Sequence, residues 1–156
     1  MSPDFDKKFE IIDAKIADFM HCYGRFFLRI SLGIIFVWFG ALKIVDISPA
    51  QDLVAKTVYW FDPKIFIPIL GWWEVIIGVC LFFKPLIRLA IFLLFLQMPG
   101  TALPLLILPA VCFTSFPFGL TLEGQYIVKN LVLISAALVI GGTVRSNGGD
   151  DKKAWI

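Results

Sequence analysis

The chain has 156 residues, enough for one domain and too few for a second core. Hydrophobic residues make up 59% of it and the mean hydropathy is +0.86, beyond the roughly half-apolar composition of a soluble globule. The net charge of +2 is small, and the charges crowd into the first 29 residues and the C-terminal tail. That distribution suits lipid headgroups better than nucleic acid.

The first segment, 1–24, is amphipathic. Phe5, Phe9, Ile12, Ile16, Phe19 and Tyr23 recur at spacings of four and three, and charged residues cover the remaining faces. It predicts a cytoplasmic helix lying in the membrane interface with its aromatic face down. The same spacing also fits a coiled-coil or partner-docking helix.

Four apolar runs follow, over 25–44, 65–83, 86–108 and 125–142. Each is long enough, at about 1.5 Å per residue, to cross a hydrocarbon core of about 30 Å. The first follows a long charged stretch and lacks a small-residue cleavage site, so it reads as a retained span. The expected fold is an all-α membrane protein: a four-transmembrane-helix bundle, an N-terminal amphipathic interfacial helix and a cytoplasmic tail over 143–156. Lys84-Pro85 makes the link between spans two and three a tight hairpin.

Basic residues orient it. With the N-terminus inside, Lys7, Lys8, Lys15, Arg25, Arg29, Lys84, Arg88, Arg145, Lys152 and Lys153 are cytoplasmic. Only Lys43, Lys56, Lys64 and Lys129 lie toward the outside, and four spans return the C-terminus to the cytoplasm. In the first outer loop, Ser48-Pro49-Ala50-Gln51 reads as a capping box opening a short helix that runs to Tyr59 or Trp60. Asp62-Pro63 opens the second span by the same device. Thr121 is the expected N-cap before the fourth, with Glu123 near the positive end of that helix.

Polar side chains inside apolar runs are the informative letters. Glu74 falls near the middle of the second span, with Gly71 and Gly78 on its face. Small residues allow close helix approach, so this face points into the bundle. Gly33, Gly40 and Lys43 form a matching face on the first span, and antiparallel packing brings Lys43 to the level of Gly71. Gln97 lies midway along the third span, before Met98-Pro99-Gly100, an expected kink. Lys129 and Asn130 enter from the outer side of the fourth. Lys43, Glu74, Gln97, Lys129 and Asn130 thus form an expected polar cluster in the outer half. Two readings stay open for it: a register-fixing ion pair, Glu74 with Lys43 or Lys129, or a binding and proton-handling site. Trp72 and Trp73 either stack on a flat ligand such as a quinone or face lipid.

Some chemistries are excluded. His21 is the single histidine and lies at the cytoplasmic edge, which rules out bis-His haem, a His-rich metal site and a Ser-His-Asp set. There is no GxGxxG or Walker-type loop, and Cys22, Cys80 and Cys112 form no CxxC.

The segments Leu28-Arg29-Ile30-Ser31-Leu32-Gly33 and Trp38-Phe39-Gly40-Ala41-Leu42-Lys43 resemble the first-span signature of DoxX-like membrane proteins. Glu74-Val75-Ile76-Ile77-Gly78 with Lys84-Pro85 is similar to their second span. Glu123-Gly124-Gln125-Tyr126 with Val128-Lys129-Asn130 is similar to the start of their last. The likeness is strongest to the YkgB-like branch and covers roughly 25–142. It implies a bacterial inner-membrane bundle, with Arg29, Lys43, Glu74, Lys129 and Asn130 as site residues. It also implies a role beside quinone-linked oxidoreductases or in redox stress. The leading expectation is an accessory subunit holding a quinone-like ligand, with a membrane redox partner supplying electrons. The alternatives are a small homo-oligomeric transporter and a scaffold without chemistry.

Overall fold

The computed structural model describes residues 3–144. The expected tail over 143–156 therefore lies almost entirely outside the described residues.

Helix α1 runs unbroken over Pro3–Ile44, 42 residues or about 63 Å at 1.5 Å per residue. The amphipathic segment and the first span are thus one rod, with no break at 24–25. No proline falls between Pro3 and Pro49, and an isolated Gly24 costs a long helix only about 1 kcal/mol. Helix α2 covers Gln51–Thr57 and α3 covers Pro63–Phe82. A 3-10 turn at Lys84–Leu86 leads into α4, Ile87–Ala102, followed by the short α5, Pro104–Ile107, and α6, Pro109–Cys112. Strands β1 (Phe113–Ser115) and β2 (Gly119–Leu120) pair antiparallel, and helices α7 (Leu122–Val128) and α8 (Asn130–Thr143) complete the chain.

Four helical stretches are long and apolar enough to cross a membrane: Glu10–Ile44, Pro63–Phe82, Lys84–Ile107 and Leu122–Gly142. Their shared core is built from Leu32 and Phe36 of α1, Ile77 and Leu81 of α3, Leu94 of α4 and Ile140 of α8.

The α1–α3 contact is the most extensive in the fold, and glycines make it possible. A Cβ at Gly40 would lie 2.5 Å from the Gly71 carbonyl oxygen, and one at Gly71 would lie 2.7 Å from that of Gly40. Gly33 and Gly78 meet in the same way two turns along, so the two backbones touch over two successive levels.

The two expected span caps are present. Asp62 accepts a hydrogen bond from the Lys64 N–H at 3.0 Å ahead of Pro63, and Thr121 accepts from the Gly124 N–H at 3.1 Å. The Ser48 capping box is not formed. Ser48 Oγ accepts instead from the Ala50 N–H at 3.3 Å, the Gln51 amide donates to Asp46 at 2.7 Å, and α2 starts at Gln51 and ends at Thr57. Ser and Asp side chains compete for nearby backbone and side-chain donors, and here a local turn wins over the cap.

Two spans are interrupted. Helix α4 continues through Pro99 and Gly100, and the break comes at Leu103, before Pro104. Thr101 Oγ1 donates to the Met98 carbonyl at 2.9 Å, so this turn has a local partner. A second proline five residues on removes a further backbone donor, and there the helix divides. The fourth span begins at Leu122 rather than 125 and breaks at Lys129 between α7 and α8. The connection over 108–121 carries the two-stranded ribbon, a β element that the all-helical expectation lacked.

Candidate functional site

Helix α3 places Glu74 eleven residues from Pro63, about 16 Å along a helix of 20 residues, so its carboxylate lies at mid-span. The glycine register sets Lys43 opposite: the Lys43 side chain packs against Gly71, one turn from Glu74. Lys43 Nζ donates to Glu74 Oε2 at 2.5 Å, and both residues are buried, at 4% and 7% exposure. Gln97 of α4 donates through Nε2 to Glu74 Oε1 at 2.8 Å. One carboxylate thus ties three spans together.

The three residues of this triad line a cavity of about 450 Å³. The remaining wall is mostly apolar: Phe36 and Phe39 of α1, Leu70 and Trp73 of α3, Met98 of α4 and Leu133 of α8 are among its residues. Helix α2 covers it, with Leu53 buried against Cys112 and Ile127 in a small second core. Thr57 is buried beside them and donates to the Leu53 carbonyl at 2.6 Å. Exposed residues of α3 and α4, Ile69 and Leu96, also line the cavity, so it reaches the apolar flank of the bundle between those helices. A volume of this size with few polar groups in its wall matches a site for a small amphipathic molecule.

The expected cluster is brought together only in part. Lys43, Glu74, Gln97 and Asn130 line the cavity. Lys129 does not: it is exposed at the α7–α8 break, so the Glu74–Lys129 pairing is absent. Tyr126, Asn130 and Leu133 follow the i, i+4, i+7 face that lines the wall, and Lys129 is about 100° away from it. Trp73 lines the cavity and donates to the Leu93 carbonyl at 3.4 Å. Its neighbour Trp72 is 56% exposed and faces outward. Glu123 is exposed in the first turn of α7, away from the wall.

Arg29 also stands apart from the cavity, one helical turn beyond Gly33. It is 5% exposed, its guanidinium carbon lies 5.7 Å from the Phe26 ring centre, and Nε and Nη1 have no hydrogen-bond partner among the described residues. Tyr126 and Thr57 are cavity residues that polar-residue counting passed over; the helical face running from Tyr126 through Asn130 to Leu133 would have signalled the first.

Among the described residues no three His, Cys, Asp or Glu side chains come together. Cys112 is fully buried, and burial, with a smaller contribution from the Glu123 charge, pushes its thiol above the ordinary cysteine range.

In comparisons with family models, curated proteins and solved structures, nothing matches the chain. The fold and cavity define the class directly: a helical bundle with four potential membrane spans and a mostly apolar cavity lined by a buried Lys–Glu–Gln triad.

Proposed function

We propose that the protein is an accessory subunit of a membrane redox process that holds a quinone-like molecule in this cavity, and that it is a DoxX-like protein of the bacterial inner membrane. The observation that carries the reading is the combination in one cavity of an apolar wall reaching the bundle's flank with a buried Lys–Glu–Gln triad. A lipophile enters such a cavity from the bilayer, and its polar head meets the triad. Lys43 would stabilise negative charge developing on a carbonyl oxygen, and Glu74 would hold or pass a proton. A bound quinone supplies two-electron redox chemistry, and a partner subunit would supply the electrons. In oxidant-challenged cells lacking their own copy of the gene, Glu74→Gln and Lys43→Met at wild-type abundance should fail to restore tolerance. Full restoration by both variants would overturn this function.

In the proposed topology both termini are cytoplasmic, the N-terminal part of α1 continues the first span out of the bilayer as one rod instead of lying in the interface, and the ribbon over 113–120 is external. The tip residue Phe118 is 93% exposed. A Phe118→Cys variant should therefore react with an impermeant maleimide added outside intact cells. Cys112, buried and with its thiol raised, should stay unlabelled near pH 7. The sign follows from the raised pKa: less thiolate exists at a given pH than for a free cysteine, so any reaction grows only as pH rises. Labelling of Phe118→Cys only after the membrane is opened would reverse the orientation.

A further inference from the structure

The hydrogen-bonding capacity left unused in the triad limits what the ligand can be. Both Glu74 oxygens are engaged, Oε2 by Lys43 Nζ at 2.5 Å and Oε1 by Gln97 Nε2 at 2.8 Å. The second contact fixes the orientation of the Gln97 amide, because the reversed amide would set its oxygen against a carboxylate oxygen. Gln97 Oε1 is therefore the acceptor left over. It is buried within a residue only 9% exposed, and among the described residues no group donates to it. Two of the three hydroxyls in the cavity wall are spent elsewhere, Thr101 on the Met98 carbonyl and Thr57 on the Leu53 carbonyl; Tyr126 is the third.

We infer that the ligand is a lipophile carrying a hydroxyl donor, of the phenol or hydroquinone class, and that the site selects it over a molecule offering only acceptors. The inference rests on the reading of the cavity as a ligand site. The ligand hydroxyl donates to Gln97 Oε1, which meets it by a small rotation about the last side-chain bond, a torsion with a broad well. The hydroxyl oxygen in turn accepts from an N–H of Lys43 not used by Glu74; an ammonium has three donors and Glu74 takes one. An acceptor-only ligand leaves the Gln97 oxygen buried and unpaired, which costs affinity. If the ligand is a quinone and quinol couple, the reduced form is the one retained.

The test uses a matched pair that undergoes no redox change, tetramethylphenol and its methyl ether. Each is titrated calorimetrically into the full chain in lipid nanodiscs, with empty nanodiscs as the blank. The phenol should bind about tenfold more tightly than the ether, and Gln97→Met should shrink the ratio to within about twofold. The wild-type ratio is decisive even where the variant does not fold. Equal binding of both compounds by the wild type would overturn the hydroxyl selection and leave the cavity reading standing. Binding of neither would overturn both.

Discussion

Glu74→Gln and Lys43→Met should each destabilise the bundle by about 3–5 kcal/mol, because each leaves the other member of a buried pair without its counter-charge. The double variant should recover most of that loss. Two uncharged side chains of similar reach remove the pair without stranding a charge, and replacing a buried pair outright is often neutral. A double-mutant cycle, read by unfolding in mixed micelles, is expected to give a coupling energy above about 2 kcal/mol. Additive losses would show that the two groups do not depend on each other. The cycle also separates structure from activity: a stable double variant without oxidant protection assigns the pair a role in the site. Retained protection would reduce it to a device for fixing helix register.

The second large effect concerns the glycines. Gly71→Leu forces α1 and α3 apart, because even its first carbon would lie 2.7 Å from the Gly40 carbonyl oxygen, and backbone cannot yield as a side chain does. A loss of about 3 kcal/mol is expected, at the upper end of ordinary overpacking. The same separation would pull Lys43 away from Glu74, so the substitution should also abolish the coupling measured in the double-mutant cycle. Gly142→Ala is the control: nothing lies within 4 Å of its added carbon, and it should be neutral or slightly stabilising. Equal effects at Gly71 and Gly142 would contradict the close α1–α3 contact.

The most legible part of the molecule was the meeting of Lys43 and Glu74. Glycines seven residues apart on two neighbouring apolar runs, 33 and 40 against 71 and 78, imply one antiparallel register, and that register decides which polar groups face each other. Gln97 stood out because an amide in an apolar run needs a partner. Asp62 and Thr121 were readable as caps because each has the right side chain directly before a helical run.

What stayed hidden depended on contacts or on competition between local forces. Pro99 and Pro104 compete to divide the same helix, and the sequence does not rank them; the division falls at the second. Lys129 and Asn130 are adjacent, so one helical step decides which meets the cavity, and a break at that point cannot be read from hydropathy. The apolar residues of helix α2 suit a membrane surface as well as a cavity roof. Only the packing of Leu53 on Cys112 and Ile127 distinguishes the two. The ribbon over 113–120 carries too short a pattern to announce itself.

Gly100 offers the most direct test of the cavity as a ligand site. It lines the cavity, and an added Cβ there meets nothing within 4 Å, so a larger side chain can fill the space without disturbing Lys43, Glu74 or Gln97. Native mass spectrometry of wild type and Gly100→Leu, both released from the membrane in mild detergent, makes the comparison. A small lipophilic molecule retained by the wild type and lost from an equally folded Gly100→Leu is the predicted result. The same adduct on both proteins, or none on either, would contradict it.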